Sequence, residues 1–274
     1  MFWVVQNNLY KEYGYNKLLD AIERLDIKHT IVKPIPIIER LAPIDLDSFV
    51  YNGPADEIPE PYIDESGLVM VCGSLTLANI AKKRGWVPGS FNNENFDYSI
   101  WNKIYKENLL NYNAKVCKFN EVKPWWNEFF IRPCEDNKAF TGYVTPYIDF
   151  DLWRQDVLSV KNDLWILKEN TEVMVAPLKT IYNENRFFVV DGKIVTYSQY
   201  KVGENVIHSD VIGHEIIEFA EKMVDLWKPS RAFVIDIATT SEGLKVIELN
   251  CFNSAGFYAC DVYKIVDSVE SMIF

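Results

Sequence analysis

Residues 233–250 read Phe233-Val-Ile-Asp236-Ile-Ala-Thr-Thr-Ser-Glu-Gly-Leu-Lys-Val-Ile-Glu248-Leu-Asn250. Two apolar, β-branched runs flank Thr240-Ser-Glu-Gly243, a polar turn suited to a hairpin. Strand side chains alternate between faces, so Glu248 and Asn250 are expected on one face, with Ile247 and Leu249 in the opposite layer. Asp236 lies near the end of the partner strand, where the hairpin brings it beside them. Two carboxylates and an amide oxygen on one face make an all-oxygen site, the preference of magnesium rather than zinc. Such a cation usually neutralises phosphate charge. Alone, these residues would read as ordinary surface groups, since an Asp before a turn and a Glu on an exposed face are common. A metal-dependent nuclease also carries an acid followed by Glu-x-Lys, but the third residue here is Asn250, so the lysine of that chemistry is missing.

A second stretch reads Phe129-Phe-Ile-Arg132-Pro-Cys-Glu-Asp136-Asn-Lys138-Ala-Phe140-Thr-Gly142-Tyr-Val. A short apolar strand delivers Arg132, and a polar loop carries Lys138 and ends near Gly142. Arginine offers a rigid fork of donors to phosphate oxygens, while lysine acts as a mobile point charge. Gly142 is expected to let the backbone approach a ligand closely. The plain alternative is a surface loop with a solvated lysine. A third stretch, Asn185-Arg186-Phe-Phe-Val-Val-Asp191-Gly192-Lys-Ile-Val-Thr-Tyr-Ser198-Gln-Tyr200, holds Asp-Gly between two β-branched runs, a strong hairpin signal. Glu184 and Arg186 sit at its entrance, after the strand-like Glu172-Val-Met-Val-Ala176. Phe188 is expected to face the same way as Arg186. A charge directed from a sheet into a cleft needs an anionic partner: a structural acid such as Glu184, or a bound phosphate or carboxylate.

In this order, the stretches resemble ATP-grasp carboxylate–amine ligases, which run strand-Lys-Pro, phosphate loop, nucleotide-binding hinge strand, Glu-x-Arg hairpin, then Asp…Glu-x-Asn. The chain resembles the clade in which the strand lysine is replaced by arginine, often found in phages and mobile elements. The resemblance rests on "FIRPCEDNKAFTG", "ENRFFVVDGKIVTYSQY" and "VIELNCFNSAGFYACD", and extends through "GSLTLANIAKKRGWVPGSF" and "LLNYNAKVCKFNEV" to cover about residues 68–261. Two departures stand out: the loop has only Gly142 where several glycines are usual, and Arg132 stands in the lysine position. The resemblance implies an α/β chain with an ATP-grasp fold, two α+β subdomains gripping ATP, behind a small α/β domain. It implies ATP and magnesium as cofactors. Asp236, Glu248 and Asn250 would hold the metal, and Arg132 and Lys138 the phosphates. Backbone groups of Val173, Met174, Val175 and Ala176 would face adenine, with Glu184 near the ribose. Arg186 would meet the acylphosphate or a substrate carboxylate, with Asn253 and Tyr258 lining the same pocket; Arg186 and Lys138 would be the catalytic groups. The partners would be a carboxylate donor and an amine acceptor. A nucleotide-binding module that has lost catalysis would show a broken metal set, whereas this set is intact. A ligase acting on a nucleic acid or a protein terminus is a further alternative.

Composition narrows the classes. At 274 residues, 49% apolar and 14% aromatic, the chain can build an ample core. No apolar run approaches the roughly 20 residues of a membrane span, and the start lacks the basic region of a signal peptide. A net charge of −11 argues against general affinity for nucleic-acid backbone. The cluster Lys82, Lys83, Arg84 is better read as favourable charge at a helix C-terminus. Five cysteines, an odd count without C-x-x-C spacing, favour a reducing, cytoplasmic setting over a disulfide framework or zinc site. Cys134 lies in the phosphate loop and is either alkylatable or a plain buried thiol. Of three histidines, His208 and His214 lie six apart and His29 is isolated, which leaves neither metal-ligand spacing nor a catalytic triad.

Along the chain, strands are expected at 2–5, 30–32, 48–51 and 68–72, with helices at 15–25 and from the N-cap Ser74 to about Arg84. This alternation predicts a small parallel α/β domain over residues 1–114. The core is expected over 115–274, with strands at Arg132, 138–144 and 172–176, the two hairpins, and helices near 149–160, 210–226 and 261–271.

Overall fold

The computed structural model describes residues 1–7, 13–36, 38–45, 53–54, 57–160 and 166–274. In chain order the elements are β1 (Phe2–Gln6), α1 (Tyr15–Arg24), β2 (His29–Ile35), β3 (Arg40–Pro43), β4 (Val69–Cys72), α2 (Leu75–Arg84), β5 (Pro88–Gly89) and α3 (Tyr98–Tyr105). Then follow β6 (Lys115–Lys118), β7 (Glu128–Pro133), β8 (Tyr143–Pro146), α4 (Tyr147–Ser159), β9 (Glu172–Ala176), β10 (Ile181–Val190) and β11 (Lys193–Val202). The chain ends with β12 (Asn205–Ser209), α5 (His214–Leu226), β13 (Ala232–Thr240), β14 (Gly243–Cys251) and α6 (Val262–Glu270). The strand expected at Ser48–Tyr51 lies outside the described residues.

Three sheets result. The first, ordered β3-β2-β1-β4-β5, pairs β1 in parallel with β2 and β4, as the strand–helix alternation predicts. An antiparallel edge strand, β3, is added to it. The second sheet runs β6-β9-β7-β8 and the third β12-β11-β10-β13-β14, both antiparallel. Asp191 and Gly192 both have positive φ, 46° and 77°, the geometry of the two-residue hairpin turn that Asp-Gly favours. The other hairpin turns at Ser241 and Glu242, closed by Thr240 Oγ1 donating to the Gly243 carbonyl at 2.8 Å. Ser74 is the N-cap of α2, but its hydroxyl makes no capping bond; the Ser74 N–H instead donates to Gln6 Oε1 at 2.9 Å. The helix over 98–105 was not expected. Asp97 caps it by accepting from Ser99 N, and Tyr98, Trp101 and Tyr105 bury its inner face.

Alternation along β10, β13 and β14 divides the third sheet between two cores. Phe187, Val189, Phe233, Ile235 and Leu249 pack with α3 and α5. Phe188, Val190 and Val234 face the other way and join Trp3, Val5 and α6, tying the third sheet to the first. Asn253 strengthens this joint. Its Nδ2 donates to the Val71 carbonyl at 2.6 Å and its Oδ1 accepts from Phe91 N at 2.8 Å, all buried. The substrate role expected of Asn253 is therefore corrected: both ends of its amide are spent on backbone, and the residue joins two sheets. Among the described residues no helix is long and apolar enough to cross a membrane.

Asn253→Leu keeps the branched side-chain shape but orphans both backbone groups, at about 1–3 kcal/mol each. Guanidinium denaturation should show a lower midpoint at unchanged slope; an unchanged midpoint would remove Asn253 from the joint.

Candidate functional site: a cleft lined by paired charges

The register places four polar residues directly opposite one another across the third sheet: Ser198 on β11, Arg186 on β10, Asp236 on β13 and Glu248 on β14. Arg186 grips Asp236 with both arms of its fork, Nε to Oδ1 at 2.9 Å and Nη2 to Oδ2 at 2.7 Å, and its Nη1 donates to the Gly256 carbonyl at 3.1 Å. Asp236 is fully buried and Arg186 nearly so. Burial pushes the Asp236 carboxyl up to about 6 against the pull of Arg186. For Arg186 burial works against the charge, but the neighbouring carboxylate outweighs it and raises the pKa further. Tyr200 and Tyr258 stack on each other at 4.8 Å, and the guanidinium lies 5.5 and 5.0 Å from their rings. Tyr258 adopts a left-handed backbone, φ 48°, to cover the pair.

From the second sheet, Arg132 on β7 reaches Glu248, Nη1 to Oε2 at 2.6 Å, while its guanidinium lies 5.6 Å from the Trp101 ring. Burial opposes the charge of Glu248, yet Arg132 and Asn250 hold its carboxyl below the usual range. Asn250 Nδ2 bridges the two acids, 3.2 Å from Asp236 Oδ2 and 3.1 Å from Glu248 Oε1. Asp236, Glu248 and Asn250 are thus brought together as the sequence implies. Ile247 departs from strict alternation. A β-bulge after the Asp236–Glu248 pair leaves Val246 and Leu249 in the core and turns Ile247 toward the cleft, with Glu248 and Asn250. Bulges re-aim side chains in this way next to functional sites.

The cleft between the second and third sheets has a volume of about 610 Å³. Arg132, Lys138, Met174, Glu184, Glu248 and Asn250 all line it, joined by Lys179, Tyr200 and Lys201, which the sequence reading did not single out. Its cations are matched by acids: Lys138 with Asp136 at 2.6 Å, Lys179 with Glu242 at 3.3 Å and Lys201 with Glu184 at 3.0 Å. Tyr200 hydroxyl also donates to Glu184 at 2.7 Å.

Three expectations need correction. First, β9 lies between β6 and β7, so the backbone groups of Val173, Met174 and Val175 face paired strands and cannot serve adenine. Val173, Val175 and Ala176 are buried outside the cleft lining, Met174 borders the cleft, and the lining resumes beyond the strand at Pro177–Lys179. Second, Gly142 lines the cleft, but the close approach it makes is to the neighbouring strand β7: a Cβ there would lie 2.8 Å from Phe130 Cζ and 3.1 Å from Arg132 Cβ. Third, Arg186 and Tyr258 lie behind the cleft lining, with Arg186 committed to Asp236 as a structural ion pair. Cys134 is buried, its thiol pushed up to about 12 by burial, and so is a plain core thiol.

Asp236→Ala leaves Arg186 charged, buried and unpaired, so it should destabilise by about 3–5 kcal/mol. Glu248→Ala leaves Arg132 at the edge of the cleft, within reach of water, and should cost much less. Thermal melts of both variants check this ordering; equal melting temperatures would contradict it.

Comparison with known proteins agrees with this fold. The model of the ATP-grasp domain, R-2-K clade family 3, matches residues 80–269. Comparison with curated proteins gives no match. Among solved structures, the fold is similar to a RimK-domain ATP-grasp protein from Sphaerobacter thermophilus, with TM-score 0.60, 10% identity, and 99% of this chain and 100% of that one covered. It is also similar to the D-alanine–D-alanine ligase from Bacillus anthracis complexed with ATP, with TM-score 0.57, 11% identity and coverage of 97% and 95%. D-cycloserine synthetase gives TM-score 0.55, 10% identity and coverage of 98% and 99%. With the family match spanning most of its length, the chain belongs to the ATP-grasp superfamily, in family 3 of that clade.

Proposed function

We propose that the protein is an ATP-dependent carboxylate–amine ligase, with residues 1–114 forming the preceding domain and 115–274 the ATP-grasp core. It is read as a cytoplasmic enzyme, of the kind carried by phages or mobile elements, and its five cysteines are free thiols. The observation that carries the reading is the Arg132–Glu248 contact across the cleft. It sets a phosphate-binding fork from one sheet directly above two acids and an amide from the other.

The donor set fits magnesium. Asp236 Oδ2 and Glu248 Oε1 converge on one atom, Asn250 Nδ2, so one oxygen of each acid already points at a common electropositive centre. Among the described residues no three His, Cys, Asp or Glu form a metal cluster, which leaves Asn250 as the third donor. Bound there, magnesium would neutralise phosphate charge during transfer. The chain's own residues do the rest. Arg132 exchanges Glu248 for phosphate oxygens, and Lys138 exchanges Asp136. Glu184, held by Tyr200 and Lys201, faces the ribose, and the segment Pro177–Lys179 borders the base. Arg186 acts from behind, fixing the Asp236 carboxylate. In the reaction a carboxylate oxygen attacks the γ-phosphorus and ADP leaves. An amine nitrogen then attacks the acyl carbon, the C–O bond breaks, and phosphate departs with the electron pair and the amine proton. Positioning and electrostatic stabilisation supply the rate.

Glu248→Gln keeps the side-chain volume but removes one anionic donor. It should lower ATP-dependent phosphate release at least about 100-fold with little change in melting temperature. Normal turnover in a folded variant would sink the assignment.

Arg132 sits on a rigid strand and Lys138 on an exposed loop with a left-handed backbone, φ 56°. Arg132→Ala should therefore weaken ATP binding, while Lys138→Ala should lower the rate more than the affinity. Calorimetric titration paired with turnover assays separates the two; equal losses of both quantities in both variants would reject this division.

A further inference from the structure

Helix α3 reaches the cleft through Tyr98 and Trp101. It is docked on the strand that carries Arg132: Tyr98 N donates to the Cys134 carbonyl, two residues beyond Arg132, at 2.8 Å. Asp97 caps the helix by accepting from Ser99 N at 2.7 Å. At the far end the Tyr105 hydroxyl donates to the Met223 carbonyl of α5 at 3.4 Å. Trp101 is thus held between two anchored ends, 1% exposed, with Tyr98 edge-on to its ring at 5.6 Å. The Arg132 guanidinium lies over that ring, 5.6 Å from its centre.

The guanidinium therefore has supports of different kinds. Nη1 donates to Glu248 at 2.6 Å, Nε donates to the Pro133 carbonyl at 3.3 Å, and the face rests over Trp101. All the N–H donors lie in the guanidinium plane, so Glu248 and a phosphate compete for them. A ring takes the face instead, and can hold the group while a phosphate is bound at its edge. Indole is also the strongest aromatic face for a cation. Trp101 Nε1 is buried with no hydrogen-bond partner among the described residues, so this tryptophan contributes through its ring and not its N–H.

Resting on the ligase reading, we infer that Trp101 is a positioning residue for Arg132. It keeps the guanidinium plane fixed while Glu248 is given up to the metal and phosphate oxygens take its place. Without the ring, the freed side chain would sample several rotamers and pay to order itself on the phosphate. The same geometry favours arginine at this strand position, because its fork meets phosphate at the edge and indole on the face. A lysine ammonium has no separate edge and face with which to do both.

The test replaces Trp101 site-specifically with mono- and trifluorinated tryptophan, which weaken the negative ring face at nearly constant volume. Binding of a non-hydrolysable ATP analogue with magnesium to the full chain is titrated calorimetrically. Affinity should fall stepwise with fluorine, by about twofold and then about fivefold, while the melting curves superimpose. In an Arg132→Ala background the same series should give equal affinities. With isotope-labelled arginine, the Arg132 Nε–H resonance, identified by its loss in Arg132→Lys, should be shielded by the ring and stay shielded in the analogue complex. Affinity indifferent to fluorine, or an Arg132 resonance that loses its shielding when the analogue binds, would overturn the positioning role and leave nucleotide binding intact. A fluorine dependence that persists in Arg132→Ala would place Trp101 on the nucleotide itself and overturn it equally. Should Arg132→Ala bind too weakly to titrate, the resonance decides. Failure of the wild-type protein to bind the analogue would instead overturn the ligase reading, and the role of Trp101 with it.

Discussion

The buried pair of Arg186 and Asp236 is the constraint from which the rest of the site is built. A carboxylate with no exposure and a guanidinium with almost none lie side by side on neighbouring strands. Neither is tolerable there alone, because an uncompensated buried charge costs several kcal/mol. The surroundings complete the compensation: the Gly256 carbonyl takes a third guanidinium donor, Asn250 donates to Asp236, and two stacked tyrosines offer their ring faces. The loop after β14 must therefore return over the pair. It is pinned there by Ser198 Oγ accepting from Ala259 N and Thr196 Oγ1 accepting from Asp261 N.

With Asp236 fixed, Glu248 is fixed beside it by register, and the bulge after that pair turns Ile247 to the cleft side with Glu248 and Asn250. The cleft as a whole is electrostatically closed on itself, with each of its lysines and arginines facing a carboxylate. Under the proposed function, a polyanionic ligand would enter such a site by exchange, taking the cations and leaving carboxylates free to meet a metal. On the proposed reading, this is how a chain of net charge −11 would present a phosphate site. The four basic groups that line the cleft, Arg132, Lys138, Lys179 and Lys201, are neutralised locally, so they add little to the long-range field.

Much of this was legible in the sequence because it depends on short-range rules. The Asp-Gly and Ser-Glu turns dictate hairpins, alternation puts Phe188 on the side of Arg186, and Glu248 and Asn250 share a face because they are two apart. The parallel first sheet follows from strand–helix alternation. Harder to read were elements whose signal is weak or non-local. The helix at 98–105 spans only two turns, and its aromatics resemble those of any buried segment. Strand β9 reads equally well at an edge or in the middle of a sheet; only pairing with both β6 and β7 shows that its backbone groups are spent.

The sequence by itself determined which residue types are available and, through period and turn chemistry, which face of its own strand each occupies. The tertiary structure decided the partners. Arg186 and Asp236 are 50 residues apart and Arg132 and Glu248 are 116 apart. Asn253, an equally plausible ligand on paper, proved to be a backbone clamp between sheets. Local propensity carries no information about which distant charge meets which. That choice is set by the sheet order, the register and the position of one bulge, and these follow from burying all the apolar faces at once.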